Sequence, residues 1–236
     1  MELKSRKQHL AEFKKEIYRL IIPMVLLFIL FFSLSKPMIT YLLTFYNLPL
    51  TSIVSITPFE SLQTSLIVAG TLTLLFSLPL ILQGTLRYCK ELIKPKIYKK
   101  SHKVIFTSYL LAILGSAFGI FLFSKLVLQN MISSYTLTTA SWSILAVFNF
   151  IIISSITFAL AMQMIIIIPA MVSIGLVKKQ TLKKIRFPVV IGIMICSAIA
   201  TPPDVVSMLI MSLPIYGAFE MGILFSKNKL KQEEKC

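Results

Sequence analysis

The chain has 236 residues, of which 56% are apolar and only 14% charged, with a mean hydropathy of +0.85. A soluble fold this small has too much surface for its volume to bury so many apolar side chains, so the composition excludes a soluble domain and predicts a membrane protein. The 24 Lys and Arg against 9 Asp and Glu give a net charge of +15, which marks either a nucleic-acid surface or cytoplasmic membrane loops; their positions decide.

Taken in chain order, the first 19 residues are polar, with Leu10, Phe13, Ile17 and Leu20 at helical spacing and Glu12 and Glu16 four apart on one face. This predicts an amphipathic helix on the inner membrane face that leads into a retained first span rather than a cleaved signal. That span covers about 20–36, and apolar residues continue beyond Lys36 and Pro37. Further uncharged runs predict spans at about 61–86, 104–124 and 144–174, each at or above the roughly 20 residues needed to cross a bilayer core. The 52 uncharged residues between Lys125 and Lys178 exceed one helix, and the polar stretch from Ser133 to Ser141 divides them, with a kink expected at Pro169. A fifth span at 187–200 ends at the turn Thr201-Pro202-Pro203-Asp204, and a sixth at 205–226 leads into the tail 227–236. Only 17 residues separate Arg186 from Asp204, about 25 Å of helix, so this end of the bundle is expected to thin the bilayer. The expected fold is all-α: one integral membrane domain over 1–236, a bundle of six transmembrane helices with short fifth and sixth spans.

The basic residues alternate with span parity. Six precede the first span, seven lie from Arg87 to Lys103, five from Lys178 to Arg186 and four in the tail, while the opposite face holds only Lys36 and Lys125. This is the positive-inside pattern; it places both termini in the cytoplasm and excludes a nucleic-acid partner. Cys89, Cys196 and Cys236, with His9 and His102, form neither a disulfide framework nor a metal site, and no catalytic motif occurs. Neither an enzyme nor a cofactor is expected. A small-solute transporter fits six spans but lacks repeated halves, and a membrane scaffold is the other alternative.

Polar side chains within spans are costly and so are functional candidates. Glu60 enters the second span and Gln83 lies near its inner end; both are expected to reach interfacial water. Glu220, in the sixth span, either snorkels inward, pairs with Lys227 or has a specific role. Gln163 lies near mid-membrane and needs a hydrogen-bond partner, from this chain or from a second protein. On the basic face the wholly inner acids are Glu2, Glu12, Glu16, Glu91, Glu233 and Glu234. By spacing, Glu12 and Glu16 either pair with Lys15 or Arg19 in an interfacial anchor or receive a cationic partner, for which arginine's planar fork is best suited.

His9-Leu10-Ala11-Glu12-Phe13-Lys14 resembles the His-Leu-x-Glu-Leu-Arg signature of the TatC family, the polytopic core subunits of twin-arginine translocases. Pro58-Phe59-Glu60, Pro79, Gln83, Pro95-Lys96-Ile97-Tyr98, Gly115, Phe118, Phe121, Phe158, Arg186, Thr201-Pro202-Pro203-Asp204, Pro214 and Phe219-Glu220 continue the likeness in order. The resemblance implies a receptor for folded precursors with arginine-pair signal peptides. It also implies single-span partners of the TatA and TatB type, proton-motive-force-driven export, and self-association within a larger complex. By the same likeness, His9, Leu10, Glu12 and Lys14, with Pro95, Tyr98 and Ser101 of the first cytoplasmic loop, contact the signal peptide, while Pro58, Glu60 and Thr201 to Asp204 form an outer-face structural motif. Ser101 stands where the family places a loop acid, for which Glu91 is the substitute. Lys14 replaces the usual Arg, and Gln163 replaces a membrane-embedded Glu. The expected mechanism has Glu12 clamping the arginines, Gln163 offering an amide to a partner helix and the short spans shaping a groove. With no transit peptide, a prokaryotic plasma membrane is expected, with an organelle inner or thylakoid membrane as the alternative.

Overall fold

A computed structural model of the chain describes residues 2–48, 53–55, 57–88, 95–134, 142–173, 175–201 and 204–226, with side chains described over 18–48, 55, 57–81, 83, 103–131, 142–173, 175–201 and 204–226. The elements are α1 Glu2–Phe45, β1 Ile53–Val54, α2 Glu60–Tyr88, α3 Pro95–Ala117, a π-helical segment Phe118–Ser124, α4 Lys125–Ser134, β2 Trp142–Ser143, α5 Ile144–Ser173, α6 Lys179–Lys184, α7 Arg186–Ala200 and α8 Val205–Phe225. Among the described residues, Tyr18–Phe45, Glu60–Ile81, Lys103–Met131, Ile144–Ser173 and Val205–Phe225 are long and apolar enough to cross a membrane, and Arg186–Ala200 is a shorter apolar helix. The protein is a polytopic helical membrane protein.

Two expected boundaries move. The first span does not stop near residue 36, because α1 runs unbroken through Lys36 and Pro37 to Phe45. Helices in lipid can continue past a proline; here the Ser35 hydroxyl donates to the Phe32 carbonyl at 2.7 Å and that of Thr40 to the Lys36 carbonyl at 3.1 Å, while the carbonyl deprived of its helical donor by Pro37 is that of Ser33. The third span likewise does not end at 124: α3, the π segment and α4 run end to end past Lys125. The dividing stretch 135–141 lies outside the described residues. Of the two spans expected to be short, α7 has 15 residues, about 22 Å, but α8 has 21, about 32 Å and enough to cross.

The chain falls into two compact units, 1–109 with 142–145, and 110–141 with 146–236. In the first, α1 packs along α2. The buried positions of α2 include Thr64, Ser65, Val68, Ala69, Thr73 and Ser77, small side chains that allow close helix approach. Thr64, Thr73 and Ser77 return their hydroxyls to the carbonyls of Glu60, Ala69 and Leu74, so no polar atom of these three is stranded in the packing. Phe31 and Phe76 meet at 5.2 Å between ring centroids. The parallel pair β1 and β2 joins Ile53 to Trp142 and Val54 to Ser143.

In the second unit, α3 and the π segment lie against α5. A side chain at Gly115 would put its Cβ 2.5 Å from the Phe158 carbonyl oxygen, and one at Gly119 would be 2.9 Å from that of Ser154. Only glycine permits this backbone contact. Phe158, 1% exposed, is held edge-on by Phe118 at 5.0 Å and Phe123 at 5.1 Å. The π segment hydrogen-bonds i to i+5, and the Ser124 hydroxyl reaches the Gly119 carbonyl at 2.8 Å. At the other end of α5, Ile168 packs with Phe219 and Ile223 of α8, flanked by Met164, Leu182, Val189 and Tyr216.

Candidate functional site

The hairpin of α7 and α8 is tied at both ends. At the turn, the Thr201 backbone N–H and hydroxyl both donate to the Ser197 carbonyl, at 2.9 and 2.8 Å. Asp204 caps α8, its carboxylate accepting from the N–H groups of Val206 at 3.3 Å and Ser207 at 3.0 Å and from the Ser207 hydroxyl at 3.1 Å. The Ser207 amide holds the Asp204 carboxyl below its ordinary value. Pro202 and Pro203 lie outside the described residues.

At the open end, Arg186 Nη2 donates to Glu220 Oε2 at 2.7 Å, the Tyr216 hydroxyl donates to Glu220 Oε1 at 2.7 Å, and Lys179 Nζ donates to the Ser226 carbonyl at 2.7 Å. The last contact satisfies a carbonyl at the C-terminus of α8. Glu220 therefore pairs with Arg186 and Tyr216 rather than snorkelling alone, and Lys227 lies outside the described residues. The reason is hairpin register: Arg186 is 15 residues before Thr201 and Glu220 is 16 after Asp204, while Lys179 and Ser226 are each 22 from the same turn residues. The side chains of Arg186 and Glu220 are 43% and 22% exposed, which puts the pair between the weak surface and strong buried regimes. Glu220→Ala is expected to lower unfolding stability in detergent by about 1–3 kcal/mol, and Arg186→Ala made on top of it to cost less than it does alone; full additivity in that double-mutant cycle would show that the contact carries no energy.

Glu60 differs from expectation. It is 7% exposed, not open to interfacial water, and its Oε2 accepts the Ser143 hydroxyl at 3.3 Å. The β1–β2 pairing carries Ser143 there, and as first residue of α2 the carboxylate also meets the positive end of the helix dipole. Pro58 is exposed in the preceding turn, where the Glu60 N–H donates to the Thr57 carbonyl at 3.1 Å. Gln83 on α2 and Gln163 on α5 are half-buried.

His9, Leu10, Glu12 and Lys14 lie on the N-terminal turns of α1, and Pro95, Tyr98 and Ser101 on the first turns of α3; their side chains, and all of Glu91, lie outside what is described. Sequence reasoning missed Arg186 as the partner of Glu220, Lys179 as a cap and Ser143 as the donor to Glu60. Among the described residues no three His, Cys, Asp or Glu side chains are placed to hold a metal ion.

Residues 8–214 match the family described as Sec-independent protein translocase protein (TatC). The chain belongs to the TatC family. It is similar to TatCy of Bacillus subtilis strain 168, at 28% identity over 149 residues, covering 61% of this chain and 59% of the relative. It is also similar to TatC of Escherichia coli K12, at 26% over 140 residues, covering 57% and 54%, so each match spans less than two thirds of the relative. The fold is similar to that of a crystal structure of the twin arginine translocase receptor TatC in DDM, with TM-score 0.78 and 21% identity over 93% of this chain and 99% of that one. A second TatC crystal structure gives 0.74 and 20% over 92% and 96%. TatC is a family of protein-translocase components and not of enzymes, and this member is a multi-pass membrane protein.

Proposed function

We propose that this TatC chain is the receptor-type core subunit of a twin-arginine translocase, one that meets the arginine pair of a folded precursor's signal peptide and recruits single-span partners of the TatA and TatB type. The observation that carries this is the family match, which begins at residue 8 and so includes His9, Leu10, Glu12 and Lys14. Glu12 stands six residues before Tyr18, about 9 Å along the helix from the start of the apolar run. A carboxylate there meets a guanidinium pair through charge-assisted, bidentate bonds on a face otherwise crowded with cations. Pro95, Tyr98 and Ser101 at the start of α3 supply the loop side of the same contact, with Glu91 as the second acid. Gln163 offers an amide to a partner helix. It has no titratable proton, so the proton-motive force acts elsewhere than at this side chain.

In this reading the membrane is a prokaryotic plasma membrane and the chain self-associates within a larger complex; the segregation of 22 of its 24 basic residues supports both termini lying inside. The test is the affinity of the purified full chain in detergent for a signal peptide bearing Arg-Arg against the same peptide bearing Lys-Lys. A preference of about tenfold or more for Arg-Arg is expected, since a hydrogen bond to a charged group contributes about 1.5–3 kcal/mol. Equal affinity would leave the chain a scaffold without precursor specificity.

A further inference from the structure

Within the first unit, a cleft of about 830 Å³ opens between α1 and α2, lined by the polar side chains of Lys36, Ser33, Ser61 and Ser65 and by apolar ones that include Phe32 and Leu62. Its volume is that of a small-molecule site. Lys36 lies 18 residues beyond Tyr18, about 27 Å along α1 and close to the far boundary of a 30 Å hydrocarbon core. It is exposed, and among the described residues no carboxylate pairs with it. A lone ammonium at that depth is costly unless it reaches headgroups or meets an anion. The serine hydroxyls that line the cleft with it are the donors a phosphate oxygen accepts from.

We propose that this cleft binds one anionic phospholipid of the leaflet remote from the basic segments, with the headgroup phosphate on Lys36 and the serine hydroxyls and an acyl chain along Phe32 and Leu62. A phospholipid is the occupant that charge and shape favour together. A free anion leaves the apolar wall uncovered, and a partner helix has to bring a carboxylate to this depth.

The test is native mass spectrometry of the full chain in detergent with phosphatidylglycerol, phosphatidylcholine or inorganic phosphate added. One phosphatidylglycerol is expected to be retained, and neither phosphatidylcholine nor inorganic phosphate to displace it. Lys36→Gln is expected to weaken retention about fivefold, the contribution of one basic side chain at an anionic membrane surface, and Lys36→Arg to preserve it. Leu62→Trp, which fills the cleft and keeps the charge, is expected to abolish it. Undiminished retention by Lys36→Gln, equal retention of phosphatidylcholine, or displacement by inorganic phosphate overturns the proposal. So does a photoreactive group at Ser33 that captures a protein helix instead of lipid in native membranes.

Discussion

A chain carrying Glu12→Lys is expected to reach the membrane at its normal level and to export no arginine-pair precursor. In the proposed orientation the inner face holds 22 of the 24 cations, so a ligand with two guanidinium groups approaches against a net positive field. Removing the carboxylate forfeits charge-assisted bonds of about 1.5–3 kcal/mol, or roughly ten- to a hundredfold in affinity. Placing an ammonium there adds repulsion of about 1–4 kcal/mol for charges roughly 4 Å apart. Glu12→Asp keeps the charge on a shorter arm and is expected to retain part of the activity. Fractionation of a reporter precursor, beside immunoblotting of the chain in membranes, reads both halves of the expectation. Normal export by Glu12→Lys would remove this residue from the binding site and return the N-terminal segment to the role of an interfacial anchor.

Gly115→Leu is expected to prevent the second unit from assembling. Its Cβ would fall 2.5 Å from the Phe158 carbonyl oxygen and 2.9 Å from the Met162 side chain. The oxygen belongs to the backbone of α5 and cannot retreat alone, so α3 and α5 must separate. Because lipid tails are as apolar as the helix surfaces, close packing is a main source of attraction between membrane helices, and separation forfeits the contacts of Phe158 with Phe118 and Phe123 as well. The expected loss is about 3 kcal/mol or more, read as a lowered midpoint of thermal unfolding in detergent or as protease sensitivity. Gly217→Ala, where an added Cβ meets nothing within 4 Å, is the control and is expected to be neutral or mildly stabilising. Equal behaviour of the two variants would show that the Gly115 contact does not hold the helices together.

Much of the fold was legible because charge and runs of polar side chains are excluded from hydrocarbon: α5 Ile144–Ser173, α7 Arg186–Ala200 and α8 Val205–Phe225 begin and end within a residue or so of the spans expected at 144–174, 187–200 and 205–226. The same rule failed at Lys36 and Lys125, where it took a single cation as a boundary although a lysine's long stem carries its charge to the interface while the helix continues. Arg186 and Glu220 were both noted, but their pairing became readable only by counting outward from the Thr201 to Asp204 turn. The five-residue frame Gly115 to Gly119 is a small-x-x-x-small signal whose meaning was passed over. The partner of Glu60 had no such signal, since Ser143 lies 83 positions away and is delivered by a two-residue strand pair. Side chains around Glu12 lie outside the described residues, so that part of the candidate site rests on the family alone.

The π segment also solves a problem of phase. Gly115, Gly119, Phe123 and Val127 are all buried and recur every fourth position, but twelve residues of straight α-helix overshoot a whole number of turns by about 120°. One surplus residue in the wide turn absorbs about 100° of that, so the fourfold repeat keeps a single azimuth from the first glycine to the valine. Deleting one position between Phe118 and Ser124 would remove that surplus and leave eleven α-helical steps, about 20° past a whole number of turns, so Val127 would keep its azimuth; inserting a further residue would swing it about 100° away from Gly115. A point insertion here thus acts as a rotation of everything downstream while a deletion does not, an asymmetry toward indels that the apolar composition of the stretch conceals.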